Sequence, residues 1–274
     1  MHIDSNSPIG VFDSGIGGLT VAREIMRNLP MEKIVYFGDT ARVPYGSKSK
    51  ETVIRYSRQI VRFLQSQNVK AIVVACNTAS ALALSTLEKE IDIPIIGVVK
   101  PGAKVAARTT VSKRVGVIAT EATINSGLYT ELIQKIDSEI TVIGKPCPLF
   151  VPLVEEGWRK DPITEMVARR YLKELQTQNI DTLILGCTHY PLLRSLLSGL
   201  VGDQIQLVNP AYETAKELER LLKKENLANE GEKAPGKEPY RFFVSDAADK
   251  FKNFANSILP YDIETTRKIN IEEY

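Results

Sequence analysis

The stretch Ile72–Pro101 reads IVVACNTASALALSTLEKEIDIPIIGVVKP, and a second stretch, Leu183–Pro210, reads LILGCTHYPLLRSLLSGLVGDQIQLVNP. Both begin with a short apolar run and pass through a cysteine and two polar residues into a helical segment. Both close on a second apolar run that ends in Val shortly before Pro. Cys76 and Cys187 therefore occupy the same place in the two stretches. Such self-similarity predicts a repeated structural unit.

The similarity continues upstream of both cysteines. The segment IGVFDS, Ile9–Ser14, precedes Cys76, and the segment VGVIAT, Val115–Thr120, precedes Cys187 at nearly the same distance. Two similar α/β lobes are the simplest account of this repeat.

Short β-branched runs alternate with helical periodicity along the chain. The residues that share a helical face are Ile54, Ser57, Val61 and Leu64 in one segment and Ile163, Val167, Tyr171 and Leu175 in another. The alternation predicts a doubly wound, mainly parallel α/β fold. The predicted strands are Ile9–Phe12, Ile34–Phe37, Ala71–Val74, Ile95–Val99, Val115–Ile118, Ile140–Ile143, Thr182–Leu185, Ile205–Val208 and, last, Tyr240–Ser245.

We assign residues 1–99 and 210–274 to the first lobe and residues 100–209 to the second. The C-terminal strand and helix need a sheet edge, and the second copy is already complete without them. The range Lys223–Pro239 is polar and rich in Gly and Pro, so we expect an exposed excursion there.

The composition excludes several classes of protein. The chain has 274 residues, 43% of them hydrophobic, and 35 basic against 33 acidic residues give a net charge of +2. Nucleic acid is not an expected partner, because no basic stripe follows the chain. The chain shows no secretory signal and no apolar run long enough for a membrane span, so we expect a cytoplasmic protein. Three scattered cysteines do not form a disulfide framework.

Polar residues follow the predicted strands, where an α/β sheet places its ligand crevice. They are Asp13, Ser14, Asp39, Thr40, Cys76, Asn77, Thr78, Thr120, Cys187, Thr188 and His189. Cys147 lies between two prolines and is interpreted as a core residue. The segment DSGIGGLT resembles a dinucleotide-binding loop but has Thr20 where that fingerprint needs glycine. Its glycines, Gly15, Gly17 and Gly18, predict a tight turn in which backbone N–H groups approach an anion.

A thiol on each lip of one crevice suggests three chemistries. Covalent catalysis needs only one nucleophile, and redox work usually places its cysteines in a C-x-x-C motif. Transfer of a proton at a stereocentre uses both thiols, one removing a proton from one face of a carbon and the other returning a proton to the opposite face. A metal site is poorly supported, because the cysteines and His189 lack the usual ligand spacings.

Five segments resemble the glutamate racemases, which belong to the cofactor-independent amino-acid racemases. They are PIGVFDSGIGGLTVAREI from Pro8, YFGDTARVPYGSKS from Tyr36, VVACNTASA from Val73, CPLFVPLVEEG from Cys147 and LGCTHYPLL from Leu185. The resemblance spans Pro8 to about Ser257. It implies two lobes related by a pseudo-twofold axis, glutamate held in the cleft between them, and neither pyridoxal phosphate nor a metal as cofactor. It also implies a homodimer that supplies D-glutamate for peptidoglycan synthesis.

The resemblance also implies roles for individual residues. Cys76 and Cys187 would be the acid/base thiols, Asp13 would assist Cys76, and His189 with Glu155 would assist Cys187. The neighbouring Glu156 is the alternative to Glu155, because spacing does not choose between them. Besides these groups, the residues implied in substrate binding are Ser14, Pro44, Tyr45, Gly46, Asn77, Thr78, Thr120 and Thr188.

Two other functions stay open at this point. A related racemase or isomerase could act on aspartate or another small acid, and contacts to the side-chain carboxylate would decide between them. A two-lobed binding protein for an anionic metabolite would leave the thiols incidental.

Overall fold

The computed structural model describes residues 3–231 and 240–274. The strands are β1 (Ile9–Asp13), β2 (Ile34–Gly38), β3 (Ala71–Val74), β4 (Ile95–Gly97), β5 (Arg114–Ala119), β6 (Thr141–Pro146), β7 (Thr182–Gly186), β8 (Gln206–Val208), β9 (Tyr240–Val244) and β10 (Arg267–Lys268). The helices are α1 (Leu19–Asn28), α2 (Lys50–Ser66), α3 (Asn77–Leu82), α4 (Leu84–Leu87), α5 (Val99–Thr109), α6 (Glu121–Asn125), α7 (Leu128–Ile136), α8 (Phe150–Glu155), α9 (Pro162–Gln176), α10 (Arg194–Val201), α11 (Pro210–Lys224) and α12 (Ala248–Asn256). Short 3₁₀ helices cover Tyr45–Ser47, Tyr190–Leu193 and Ile271–Glu273.

The strands form two sheets in which every pair is parallel. The first sheet has the order β10-β9-β2-β1-β3-β4, and the second has the order β6-β5-β7-β8. Ile9 of β1 lies opposite Ile34 and Ala71, and Val115 of β5 lies opposite Val142 and Thr182. The central strand of each sheet is thus flanked by the equivalent neighbours. The predicted two-lobed, mainly parallel α/β fold is confirmed.

The predicted strands all occur, with ends that differ by a few residues from the prediction. They were recognisable because strands covered by helices on both faces are apolar throughout, and β1, β2, β3 and β7 are buried along their whole length. The two-residue β10 was not predicted, because Arg267 and Lys268 are charged and exposed.

The predicted buried face of α2 is correct, since Ser57, Val61 and Leu64 are buried. The predicted face of α9 is correct in part: Leu175 is buried and Val167 and Tyr171 pack half-buried against the core, but Ile163 is 46% exposed, and Thr164, Ala168 and Leu172 complete the buried stripe. The buried stripe includes a hydroxyl that the apolar pattern missed. Thr164 can be buried because its Oγ1 donates to the Trp158 carbonyl at 2.7 Å.

The chain passes from one sheet to the other between β4 and α5, and β9 and β10 return to the first sheet beside β2. Helix α11 packs against both α1 and α5. The exact division into 1–99 plus 210–274 and 100–209 stays a prediction. Of the predicted excursion, Lys223 and Lys224 end α11, and residues 232–239 lie outside the described residues.

Cys147 is fully buried, as predicted for a core residue, and its carbonyl accepts a hydrogen bond from Tyr190 Oη at 2.8 Å.

No helix within residues 3–231 and 240–274 is long and apolar enough to cross a membrane.

Candidate active site

The carboxyl ends of both sheets face one cavity of about 360 Å³. Strand ends from both lobes meet there, because parallel strands present their carboxyl ends on the same edge of a sheet. The lining residues are Ser14, Gly15, Val43, Pro44, Tyr45, Gly46, Ser47, Cys76, Asn77, Thr78, Thr120, Glu121, Pro148, Val151, Pro152, Glu155, Cys187, Thr188 and His189.

Among the predicted crevice residues, Asp13, Asp39 and Thr40 do not line this cavity; Asp13 and Asp39 are completely buried at the ends of their strands. Six further lining residues could not be singled out from the sequence: Val43, Ser47, Glu121, Pro148, Val151 and Pro152. Val43, Pro148, Val151 and Pro152 lie inside the quoted motifs but have apolar side chains. Ser47 also lies inside a motif but does not directly follow a strand, and Glu121 follows a strand-end threonine. Their place in the wall is set by the meeting of the two lobes.

Cys187 stands at one end of a chain of three polar side chains. Its Sγ lies 3.8 Å from His189 Nδ1, and His189 Nε2 lies 3.1 Å from Glu155 Oε1. Glu155 ends α8, so this helix brings the carboxylate to the imidazole. The neighbouring Glu156 is exposed, with its carboxylate 4.0 Å from the Lys250 ammonium. The geometry therefore joins Glu155 to His189.

This arrangement favours a protonated imidazole. Burial opposes the charge on His189, but the contacts with Cys187 and Glu155 outweigh it and raise the pKa of His189 to about 10. Burial also raises the pKa of Glu155, but the hydrogen bond with His189 outweighs that effect and the net pKa is lowered. An imidazolium beside a thiol stabilises the thiolate, so Cys187 is placed to act as a base.

Cys76 has a different environment. It caps the start of α3, and its Sγ accepts the Ala79 N–H at 3.4 Å and lies 3.6 Å from Ser14 Oγ. Burial and the nearby Asp13 raise the pKa of Cys76 to about 12, although the Ala79 and Ser14 contacts partly offset them. The Cys76 thiol is consequently placed to act as an acid.

Asp13 is fixed below Cys76 by the glycine-rich turn between β1 and α1. Its Oδ2 accepts the Gly15 N–H at 3.0 Å, and its Oδ1 lies 3.5 Å from Thr188 Oγ1 of the other lobe. Burial raises the pKa of Asp13. A carboxylate in this position responds to the protonation state of Cys76, because the charges of the two groups interact.

The glycines of this turn allow two close approaches. A β-carbon on Gly17 would lie 2.3 Å from Thr188 Oγ1 and 2.5 Å from the His189 ring, and one on Gly18 would lie 2.4 Å from Asp13 Cβ. Gly15 is the one that lines the cavity. The predicted tight turn is present. Because its glycines have no side chain, His189 lies close against Gly17 and Asp13 lies close against Gly18.

Hydroxyls from both lobes meet at one wall of the cavity. Thr78 Oγ1 lies 2.9 Å from Thr120 Oγ1 and 3.2 Å from Thr123 Oγ1, and the two latter hydroxyls are 3.0 Å apart. Next to them, Tyr129 Oη donates to Asn77 Oδ1 at 2.7 Å. This bond turns the Asn77 amide so that its NH₂ group is free to donate elsewhere.

Among the described residues that line the cavity, none is Lys or Arg. Apart from the His189 imidazolium, an anionic ligand would therefore meet hydroxyls, the Asn77 amide and the backbone N–H groups at the starts of α3 and α6, which have no partner within their helices. The described ranges also contain no group of three or more His, Cys, Asp or Glu side chains arranged to hold a metal ion.

The sequence profile of the Asp/Glu/Hydantoin racemase family matches residues 9–218. This range is the greater part of the chain and includes every residue around the cavity. The chain belongs to the Asp/Glu/Hydantoin racemase family.

Members of the Asp/Glu/Hydantoin racemase family with a closely similar sequence are named glutamate racemase. The protein of that name from Geobacter metallireducens is 46% identical over 264 residues, which cover 96% of this chain and 97% of that protein. The resemblance to glutamate racemases is thereby confirmed, as is membership of an amino-acid racemase enzyme family.

Solved structures in the family agree with this fold. A glutamate racemase isoform from Bacillus anthracis has a TM-score of 0.92 at 38% identity, covering 97% of this chain and 98% of that one. The glutamate racemase from Francisella tularensis in complex with D-glutamate has a TM-score of 0.91 at 40% identity, covering 98% and 100%. An aspartate racemase from Picrophilus torridus, at 19% identity and a TM-score of 0.56 over 85% of this chain and 97% of that one, shares the fold alone.

Proposed function

We propose that this protein interconverts L- and D-glutamate by moving a proton at Cα between Cys76 and Cys187. The observation that carries the proposal is the pair of thiols on equivalent strand ends of two lobes, both lining one cavity. Each thiol has its own carboxylate: Asp13 interacts with Cys76, and Glu155 reaches Cys187 through His189. Catalysis by a single nucleophile would not explain why both lobes carry a thiol at the equivalent position.

The surroundings of the two thiols suit a two-base reaction. The Cys187 thiolate, paired with the His189 imidazolium, removes the Cα proton from one face of the substrate. The Cys76 thiol then gives its proton to the opposite face, and the configuration at Cα inverts. The product leaves an enzyme with a Cys187 thiol and a Cys76 thiolate, which is the form suited to the reverse reaction.

The carbanion formed at Cα must be stabilised as it develops, because an amino-acid Cα–H is a far weaker acid than a thiol. Fixed donors around the substrate carboxylate supply this stabilisation without reorganising during the reaction. The candidates are the hydroxyls of Thr78, Thr120 and Thr188 and the amide of Asn77, all of which line the cavity. The substrate ammonium adds a positive charge next to the reacting carbon.

Glutamate is favoured over aspartate by the relatives. Proteins about 45% identical over nearly the whole chain are named glutamate racemase, whereas the aspartate racemase shares only the fold. Extending the resemblance further, we infer that the protein acts in the cytoplasm as a homodimer and that its D-glutamate serves peptidoglycan synthesis.

The test is to incubate L-glutamate with the protein in D₂O and follow Cα by NMR and chiral chromatography. We expect D-glutamate with deuterium at Cα. The Cys76→Ser and Cys187→Ser variants should each lose racemisation but keep most of their glutamate binding, because a hydroxyl is a poor base of similar shape. Inversion with the original hydrogen retained would exclude the two-base reaction. Exchange in aspartate alone would identify the related enzyme, and binding without exchange would identify a binding protein.

A further inference from the structure

The segment Val43–Ser47 forms one whole wall of the cavity, yet its anchor lies outside the cavity. Tyr45 is buried, and its Oη donates to Asp39 Oδ2 at 2.5 Å. Asp39 follows β2 and is completely buried without lining the cavity. The strand-end position of Asp39 suggested a crevice residue, but the structure places it behind the wall.

Asp39 is in turn held by a cation and a hydroxyl. Arg42 Nε lies 2.8 Å from Asp39 Oδ2 and 3.0 Å from Oδ1, and Ser245 Oγ donates to Oδ1 at 2.8 Å. The Arg42 guanidinium also lies 4.0 Å above the ring of Tyr56. The Arg42 side chain is nine-tenths buried, so its position is closely determined.

The outer end of Arg42 reaches the C-terminal segment. Its Nη1 donates to Glu272 Oε1 at 2.9 Å and to Gln59 Oε1 at 2.6 Å, and Gln59 Nε2 donates to Glu272 Oε2 at 3.1 Å. A continuous series of polar contacts therefore runs from Glu272 through Arg42 and Asp39 to Tyr45.

The C-terminal segment is itself well anchored on α2. Ile271 is buried in the core on this side of the first sheet. The ring of Tyr274 meets Phe63 edge-on at 5.3 Å, and its carbonyl accepts a hydrogen bond from Arg62 Nη1 at 2.9 Å. The segment is therefore held firmly enough to fix the positions of the side chains that it contacts.

We propose that the C-terminal segment Ile271–Tyr274 is a positioning element for substrate, in which Glu272 fixes the wall Val43–Ser47 through Arg42, Asp39 and Tyr45. The expected effect on KM rests on the proposed function. The expected effect on the mobility of Val43–Ser47 does not. Loss of the Glu272 carboxylate removes the outer contact of Arg42 while its contacts with Asp39, Gln59 and Tyr56 remain, and the wall then samples conformations that bind glutamate less well. The effect falls on binding more than on proton transfer, because both thiols lie on other strands.

The test compares Glu272→Ala with the matched control Glu273→Ala. Glu273 is the next residue along the chain, and its Oε1 accepts a hydrogen bond from Asn270 Nδ2 at 3.0 Å. We expect Glu272→Ala to raise the KM for glutamate about two- to fivefold, the range for one exposed ion pair, with a smaller change in kcat. Glu273→Ala should leave both constants unchanged.

A double-mutant cycle separates positioning from general loosening. In a Tyr45→Phe background, which lacks the hydroxyl bonded to Asp39, Glu272→Ala should raise KM by much less than in the wild type. Additive effects of Glu272→Ala and Tyr45→Phe on KM would overturn the proposal.

Amide hydrogen exchange tests the structural part without substrate. Exchange at Val43–Ser47 should be faster in Glu272→Ala than in the wild type and unchanged in Glu273→Ala. Equal exchange at these amides in all three proteins would overturn the proposal. If the wild type did not racemise glutamate, the proposed function would fail while this measurement still decided the role of Glu272.

Discussion

At the scale of single residues, the two thiols of the cavity differ in their neighbours although the strands that carry them correspond. Cys187 faces an imidazole 3.8 Å away, whereas Cys76 faces a serine hydroxyl at 3.6 Å and has Asp13 nearby. The pKa of Cys76 is raised to about 12 and that of His189 to about 10. One thiol is therefore held protonated at neutral pH while the other has a cationic partner.

This difference predicts selective alkylation. At pH 7, iodoacetamide should label Cys187 well before Cys76, because the thiolate is the reacting form. Labelling of Cys76 should rise about tenfold for each pH unit between pH 7 and 9, since the thiolate fraction of a group with a pKa of about 12 rises in that proportion. Peptide mass spectrometry measures both rates.

Two internal controls accompany the alkylation experiment. Cys147 is fully buried and should stay unlabelled while the protein is folded. The His189→Asn variant should react more slowly at Cys187. Equal rates at Cys76 and Cys187 in the wild type would contradict the assigned protonation states.

His189→Asn also tests the direction of proton transfer. Because the enantiomers have equal free energy, kcat/KM must stay equal in the two directions in any variant. We expect kcat/KM to fall on the order of 10²-fold, the effect of losing one acid/base group. Proton transfer at Cys187, which we propose acts on the L-enantiomer, should become the slower step.

The primary isotope effect on kcat/KM reports which step is slow. In His189→Asn it should grow for Cα-deuterated L-glutamate and shrink for Cα-deuterated D-glutamate. Equal changes for the two enantiomers, or no change, would show that His189 only orders the loop.

At the scale of elements, the turn between β1 and α1 joins the two halves of the site. Thr20 Oγ1 of α1 donates to the Thr188 carbonyl at 2.9 Å, and the bare Cα of Gly17 lets the Thr188 and His189 side chains lie against the turn. The position of the imidazole therefore depends on a glycine in the other lobe. No sequence pattern around His189 contains this information.

Gly17→Ala should displace the imidazole. The new methyl group would lie 2.3 Å from Thr188 Oγ1 and 2.5 Å from the His189 ring, so these groups must shift. We expect a loss of about 1–3 kcal/mol in the free energy of unfolding, as for other overpacked sites, and a fall in kcat/KM on the order of 10²-fold. Urea denaturation and the racemase assay measure the two quantities.

Gly199→Ala is the matched control for the glycine turn. Gly199 lies in α10, and a β-carbon there would meet nothing within 4 Å. The variant should gain up to about 1 kcal/mol in stability from helix propensity, with unchanged activity. Full activity in Gly17→Ala would show that His189 tolerates the methyl group.

At the scale of the whole molecule, the two lobes are joined across the cavity by polar contacts. Thr78 of the first sheet's side meets Thr120 and Thr123 of the second, and Asn77 meets Tyr129. Gly46 lies so close to Thr120 that a β-carbon would be 2.7 Å from Thr120 Cβ. The wall of the cavity is therefore also the contact between the lobes.

Thr123→Val should weaken this contact without changing the identity of any lining residue, because Thr123 is buried behind the cavity. We expect kcat/KM to fall on the order of tenfold as Thr78 and Thr120 lose a shared partner. Thr164→Val is the control: its hydroxyl is equally buried and bonded to the Trp158 carbonyl, far along the chain in α9. Both variants should lose about 1–2 kcal/mol of stability in urea denaturation. An equal loss of activity in the two variants would contradict a role for the contact between the lobes.

The sequence by itself determined where most of the strands lie and which polar residues follow them. Strands buried on both faces are apolar runs, and polar residues directly after such runs lie at the edge of a parallel sheet where ligands bind, although Asp39 shows that not all of them reach the cavity. Cys76, Cys187 and His189 could be predicted as candidates on this ground, and the repeat predicted two lobes. Buried residues whose hydroxyl is hydrogen-bonded, such as Thr164, were not predicted because they break the apolar pattern.

Only the tertiary structure decided which distant groups meet. The sequence left Glu155 and Glu156 equivalent, and the orientation of α8 brings Glu155 to His189 while Glu156 faces solvent. Likewise, nothing near Asp39 indicates Glu272, which approaches Arg42 because β9, β10 and the C-terminal segment return to the edge of the first sheet. Local sequence specifies periodicity and burial, whereas contacts between residues far apart depend on how helices and sheets pack. The physical origin of the candidate site is therefore the packing of two lobes, each of which supplies half of the chemistry.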